Sequence, residues 1–290
     1  MRKFYWTDLT TKEFEILDPG RTVAVLPIAA VEQHGPHLPV ATDTAINQGM
    51  LGELVKRAPE DLSILILPIQ AVGKSNEHLR SPGTLTLTAE TALRAWTEIG
   101  QSVARAGLRK LVIVNSHGGN SDLLGIVTRE LRITCEMLAV HTAWSRFGKP
   151  DGLYTAAEGV YGIHGGDVET SLMLHFRPDL VRREKAQNFV SSAQAMEKEF
   201  SYLRPTGLQA YGWIAQDLNP HGAVGDASLA TAEKGKATAA HQVEGFIALL
   251  KDVAKFDLAR LAYALRPDGI EWPRHTCGIA DSTTLNACEF

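Results

Sequence analysis

Strand-like and helix-like segments alternate four times in the first half of the chain, and this alternation restricts the fold more than any other feature. Residues 22–30 (TVAVLPIAA), 62–69, 110–115 (KLVIVN) and 136–141 are short and largely apolar, mostly with β-branched residues, as buried strands are. Helical stretches separate them. One has capping residues at Thr42-Asp43-Thr44 and runs to Arg57, one opens at Thr88 or Ala89 and stops at Gly107, and one covers 121–133. This order predicts an α/β fold, a mostly parallel central sheet with helices on both faces. A mixed α+β sheet with antiparallel pairs is the alternative. The second half is less regular: 169–176 reads as a helix stopped before Pro178, 228–253 as a long helix, and 182–220 has few clear periods.

Composition narrows the function. A chain of 290 residues buries roughly three quarters of its unfolded surface, enough for a core without disulfide or metal staples. The net charge of −4 needs no basic face, which argues against nucleic-acid partners. Cys135, Cys277 and Cys288 form no CxxC pair, and a reducing cytoplasm is the simplest compartment. The first residues have no apolar signal-like core, and the apolar runs fall far short of the roughly 20 residues of a membrane span. The expectation is a soluble, cytoplasmic protein large enough to be an enzyme, with one domain over 1–265 and a tail, 266–290, of unassigned structure.

Ligands in open α/β sheets bind at the carboxyl ends of strands, and three predicted strand ends or helix starts carry metal-ligand residue types. The first is followed by Glu32-Gln33-His34-Gly35-Pro36-His37, with Asp43 nine residues after His34. The third is followed by His117, with Gly118 and Gly119 after it; a later helix start reads His164-Gly165-Gly166-Asp167-Val168-Glu169. Carboxylate with imidazole suits Zn, Mn or Fe. Each residue has a plainer reading: Asp43 as a helix N-cap, His37 facing solvent, Gly118-Gly119 as a turn, and Asp167 and Glu169 as first-turn acids favoured by the helix dipole. Their joint placement favours a site. There is no GxSxG, P-loop or GxGxxG signature after the first strand, which argues against serine-nucleophile and nucleotide-cofactor chemistry.

These segments resemble the creatininase family (creatinine amidohydrolase-like metal hydrolases). The matching blocks are Leu26 to Pro39 with Thr42-Asp43, Glu77-His78-Leu79-Arg80-Ser81-Pro82-Gly83-Thr84, Asn115-Ser116-His117-Gly118-Gly119-Asn120, His164 to Ser171, and Gly222 to Gly235. The resemblance implies a Rossmann-like three-layer α/β/α fold, a hydrolytic site with two divalent ions, Zn or Mn (Fe also compatible), and a homo-oligomer, commonly a hexamer. It assigns Glu32, His34, Asp43 and His117 as metal ligands, with Asp43 bridging. Creatininase has a further glutamate ligand two residues after the histidine matching His117; here that residue is Gly119, and Glu169 is the expected compensating ligand. His164 matches a proton-shuttling histidine on a flap. The segment before it, Val160-Tyr161-Gly162-Ile163, lacks the family enzyme's tryptophan, which argues against creatinine as substrate.

The expected reaction is hydrolysis of a non-peptide C–N bond in a cyclic or linear amide of a small molecule, by a metal-bridging hydroxide. Backbone N–H groups near Gly118 and Gly119 would face the oxyanion, and His164 would pass a proton to the leaving nitrogen. His78 and Asp167 would orient ligands or substrate, and His78, Trp144 and Tyr161 would line the substrate pocket. The alternatives are hydrolysis of a sugar-derived keto ring (keto-inositol type) and a non-catalytic metal-binding assembly protein.

Overall fold

The structure is a computed structural model and describes residues 2–261; the expectation of a tail over 266–290, with Cys277 and Cys288, lies outside those residues. The strands are β1 (Val23–Ile28), β2 (Ile64–Ile66), β3 (Lys110–Asn115), β4 (Leu138–Ala143), β5 (Asn188–Phe189) and β6 (Gly225–Asp226). The helices are α1 (Thr11–Phe14), α2 (Thr42–Arg57), α3 (Ala89–Arg105), α4 (Ser121–Cys135), α5 (Ala156–Tyr161), α6 (Asp167–Phe176), α7 (Ala193–Glu199), α8 (Ala215–Leu218) and α9 (Ala232–Lys255). The first four strands form one parallel sheet in the order β2-β1-β3-β4, and β5 pairs with β6 antiparallel. The parallel expectation therefore holds for the central sheet.

β1 and β2 are apolar and buried at every position, as is β3 between Lys110 and Asn115, because both faces are covered. Val23 and Val25 of β1 and Val112 and Val114 of β3 pack beneath α2, α6 and α9. Ala24, Leu26 and Ile28, with Leu111 and Ile113, pack beneath α3 and α4. The period-two alternation thus sends adjacent residues into two separate cores, and each fully buried Leu, Ile or Phe contributes about 1.5–3 kcal/mol. Gly235 lets α9 cross closely over α6: a Cβ there would fall inside 3.0 Å of the Ser171 and Leu172 backbone.

Several boundaries differ from expectation for local reasons. The 62–69 segment ladders only over Ile64–Ile66, and Pro68 brings no N–H to extend it. Glu136 takes a left-handed conformation, φ 56°, that closes α4, so β4 starts at Leu138. Thr231, whose hydroxyl accepts from the Lys234 N–H at 3.2 Å, caps the long helix, which opens at Ala232 rather than at 228. The Thr42-Asp43-Thr44 cap is corrected too: these residues lie within the first turn of α2, with Ala41 at the N-cap position and no side-chain cap. Thr42 Oγ1 donates to the Pro39 carbonyl at 2.6 Å and Thr44 Oγ1 to that of Ala30 at 3.0 Å. The Asp43 carboxylate is thereby left to face the strand ends.

Candidate metal centre

Ile28 at the end of β1 and Asn115 at the end of β3 are register partners, so the segments that follow them run side by side. Glu32 and His34 leave β1, and His117 leaves β3. The loop after β2 adds a 3-10 turn, Asn76–His78. Asn120 ties the three together: its amide donates to the Ala29 carbonyl and to Asn115 Oδ1, both at 3.1 Å, and its Oδ1 accepts from the Lys74 N–H at 2.9 Å. Asn115 Oδ1 also accepts the His117 N–H at 3.1 Å.

The opposite side is built around α6. His164 pairs with Val224 through backbone hydrogen bonds in both directions, and Glu169 Oε2 accepts the Gly165 N–H at 2.6 Å. The buried Glu158 carboxylate accepts the Val168 N–H at 3.3 Å, in the first turn of α6, and the Asp226 N–H at 3.0 Å, in β6. His37 does not face solvent; it is buried, and its Nε2–H donates to the Gly165 carbonyl at 2.9 Å.

The two sides meet on Asp43. Its Oδ1 lies 3.3 Å from His34 Nε2, and Glu169 Oε2 lies 3.7 Å from the same nitrogen. Its Oδ2 lies 3.4 Å from His117 Nδ1, which is 3.1 Å from Glu32 Oε1. His34, Asp43 and Glu169 thus form one potential ion position, and Glu32, Glu77 and His117 a second beside it; Asp43 offers one oxygen toward each, Oδ1 to His34 and Oδ2 to His117. Three imidazoles surround Glu32 Oε1: His117 Nδ1, His78 Nε2 at 3.4 Å and His164 Nδ1 at 3.6 Å.

The polar bookkeeping fits cations. Glu32 Oε1 and Oε2, His34 Nε2 and Asp43 Oδ2 are buried without hydrogen-bond partners, a costly state unless something positive stands among them. His34 Nδ1–H donates to the Glu32 carbonyl at 3.1 Å, which leaves the Nε2 lone pair toward Asp43 and Glu169, as in metal-ligating histidines. Without metal, protons supply the positive charge. Burial alone would depress His34, but Asp43, Glu169 and Glu32 raise it to about 10. His117 is likewise raised against its burial, by Glu32, Glu77 and Asp43. Burial pushes Glu169 up to about 7 against the pull of His34, with Asp43 and Glu32 adding to the rise. His164 goes the other way: burial, then the charge of His34, hold it well below the ordinary histidine range. Its Nε2–H donates to the Gln33 carbonyl at 2.7 Å, so its Nδ1 carries the lone pair facing Glu32.

The structure brings Glu32, His34, Asp43, His117, His164, Glu169 and His78 together. Glu169 stands at the His34 position, not in the place beside His117 that Gly119 leaves bare; Glu77 is there instead. Gly118 is exposed and Gly119 half-buried. Trp144 is not in the site: it is buried in the core, edge-on to Phe246, and its Nε1–H donates to Asn47 Oδ1 at 3.2 Å. Tyr161 is half-buried, and its hydroxyl donates to Glu197. Asp167 pairs with Lys234 at 2.6 Å and accepts from Ser171 Oγ at 3.0 Å, joining α6 to α9. Sequence reasoning missed Gln33, whose amide donates to His78 Nδ1 and to the Gly222 carbonyl, both at 2.8 Å. It also missed the roles of Glu77, Asn120 and Glu158. Glu77 and Asn120 stood inside quoted motifs, so a signal existed for them; Glu158 had none.

Comparison with known proteins shows the family and the fold. A family model described as "Creatininase: Creatinine amidohydrolase" matches residues 7–250. The mycofactocin precursor peptide peptidase of Mycolicibacterium smegmatis is 31% identical over 227 residues, 77% of this chain and 82% of that protein. The creatinine amidohydrolase of Pseudomonas putida is 34% identical over 193 residues, 60% of this chain and 72% of that protein. A solved structure described as "Creatininase Mn" superposes with a TM-score of 0.69 at 24% identity, over 88% of this chain and 100% of its own.

Proposed function

The chain belongs to the creatininase family, and on that premise we propose that it is a two-metal hydrolase of an amide C–N bond. The observation that carries this reading is Asp43, which turns one oxygen to His34 and the other to His117 among donors of which Glu32 Oε1 and Oε2, His34 Nε2 and Asp43 Oδ2 are buried without hydrogen-bond partners. His34, Asp43 and Glu169 would hold one divalent ion, Zn or Mn, and Glu32, Asp43 and His117 the other. Such ions supply a nucleophile from water at neutral pH and draw electron density from the substrate's carbonyl oxygen.

The chain's own residues do the rest. The Gln33 carbonyl fixes the His164 tautomer, so that Nδ1 takes a proton on the Glu32 side and returns it to the leaving nitrogen. His78, oriented by the Gln33 amide on its Nδ1, turns Nε2 toward Glu32 Oε1 at 3.4 Å. Gly165, at φ +65°, lets the backbone turn between His164 and α6 so that both His164 and Glu169 reach the site. One relative is named as a peptide peptidase, so the proposed bond class is amide in general, peptide bonds included.

The test is elemental analysis of protein purified without chelators, for wild type and Glu169→Ala, followed by a screen of cyclic amides, linear amides and short peptides for amine release. About two ions per wild-type chain, fewer in the variant, and release of an amine are expected. A wild type that takes up no Zn or Mn on reconstitution would overturn the proposal. Turnover of a keto-ring substrate to a carboxylate, with no amide cleaved, would keep the ions and replace the bond class.

A further inference from the structure

We infer that Glu77 is a positioning residue for the second ion position, holding the His117 ring from behind, and that residue 119 lacks a side chain to make room for it. The inference rests on the two-ion reading above and adds a residue to it.

The His117 ring has two differently occupied edges. Nδ1 faces Glu32 at 3.1 Å and Asp43 at 3.4 Å. Nε2 faces away from them, toward the Lys74 carbonyl at 3.0 Å, Ser75 Oγ at 3.3 Å and Glu77 Oε1 at 3.4 Å. A proton on Nε2 therefore finds acceptors, and Nδ1 presents its lone pair to the site. A carboxylate behind a ligating histidine fixes the tautomer and raises the ring's basicity. Glu77 is itself held: its side chain is 11% exposed, and Lys74 Nζ stands 3.4 Å from its Oε2.

Gly119 is the independent observation. A Cβ built on it would fall inside 3.0 Å of Glu77 Oε1, His117 Nε2 and the Lys74 carbonyl. Residue 119 cannot carry a side chain while Glu77 and the His117 ring stand as they do. The resemblance puts a ligating glutamate at this place in creatininase; in this chain the Glu77 carboxylate reaches the same neighbourhood from the loop after β2, within 4.8 Å of donor atoms of Glu32 and His117, with Oε1 3.4 Å from His117 Nε2. Both oxygens of the fully buried Glu32 lack partners on the near edge, so the ion position that His117 serves is still furnished by donors.

The experiment compares wild type, Glu77→Gln, Glu77→Ala and Gly119→Ala, reading bound Zn2+ per chain in metal-buffered dialysis and the absorption bands of the Co2+-substituted proteins. Glu77→Ala is expected to bind one of its two ions roughly ten- to a hundredfold more weakly, to reach two ions at saturating Zn2+, and to alter one set of Co2+ bands only. Glu77→Gln, whose amide oxygen still accepts from Nε2–H, should fall between it and wild type. Gly119→Ala should weaken the same ion at least as much as Glu77→Ala, because its methyl group crowds the carboxylate, the His117 ring and the Lys74 carbonyl together. If Glu77→Ala does not fold, the isosteric Gln variant and Gly119→Ala carry the comparison. Wild-type affinity for both ions in the Glu77 variants would overturn the inference. So would loss of one ion at every Zn2+ concentration, which would make Glu77 a direct ligand. A wild type without ions would instead overturn the two-ion reading.

Discussion

The two sides of the site reach the same centre by different construction. On the strand-end side, Glu32, His34 and His117 follow directly from β1 and β3, and the Asn115–Asn120 network ties their loops to each other and to the loop after β2. On the α6 side, His164 and Glu169 follow a short helix and a glycine turn. They are fixed by one buried carboxylate, Glu158, by His37 on the Gly165 carbonyl and by a two-bond backbone bridge to Val224. One side inherits its geometry from a parallel sheet; the other depends on a few side chains meeting backbone N–H and C=O groups. Donors set by the sheet should withstand the loss of a single contact better than donors set by a helix terminus.

Asp43 belongs to both ion positions, so its loss removes the distinction altogether. Asp43→Ala should bind less than one ion per chain and lose activity by about 10^3-fold or more, since metal polarisation contributes several kcal/mol to the transition state. Elemental analysis with a turnover assay checks this. Two ions retained in Asp43→Ala would show that the positions do not share a ligand.

The anchors of the two sides can be broken separately. Asn120→Ala strands the Ala29 carbonyl and the Lys74 N–H and takes one of two donors from Asn115 Oδ1, and should cost about 2–4 kcal/mol. Glu158→Gln strands one of two N–H groups and should cost about 1–3 kcal/mol. Denaturant melts measure both. The ion read-out separates them: Asn120→Ala should weaken the Glu32–His117 position, and Glu158→Gln the His34–Glu169 position. The reverse pattern would show that the sheet does not set its own side.

The strand-end side was the more legible in sequence, for the same reason. Apolar runs mark strands, polar residues just past them mark a sheet's binding edge, and so Glu32, His34 and His117 could be picked from short segments. The α6 side was legible only in part. Glu169 and His164 lie in one motif, but Glu158 looks like any first-turn acid of a short helix. Its burial against Gly162, Gly166 and Gly225 depends on contacts 68 residues apart with Asp226. Glu77 was hidden in another way, because its role exists only where the loop after β2 meets the turn after β3. Trp144 was misread because an aromatic residue at a strand end can equally turn into the core, as it does here.

Titration offers a subtler contrast between the protein with and without ions. In the metal-free protein His34 is raised to about 10 and His117 is raised as well. A histidine raised on folding contributes stability that is full below its ordinary value, about 6.5, and is lost as pH rises through the folded value. Chelator-treated protein should therefore lose Tm steadily between about pH 6.5 and 10. Ions need the same nitrogens deprotonated, so their apparent affinity, and the Tm they add, should grow across that range. Scans with and without Zn2+ at each pH decide it; parallel curves would show that the ions bind elsewhere.

The smallest effects are expected at the two aromatic residues first placed in the substrate pocket. Trp144→Phe removes a buried N–H donor to Asn47 and part of an aromatic contact with Phe246, a cost of about 1–3 kcal/mol. Asn47 also donates to the Ile28 carbonyl at 3.1 Å, so the change reaches the end of β1 only through one intermediary, and KM should stay within about twofold. Tyr161→Phe removes a hydroxyl bonded to exposed Glu197, and losing a surface contact of that kind should leave Tm nearly unchanged. Measuring KM and Tm for both variants separates a core role from a substrate role. A rise in KM at unchanged Tm would return either residue to the pocket, and for Tyr161 it would mean that the segment ahead of His164 moves onto the bound substrate. An unchanged KM would confine substrate contact to groups facing the two ion positions.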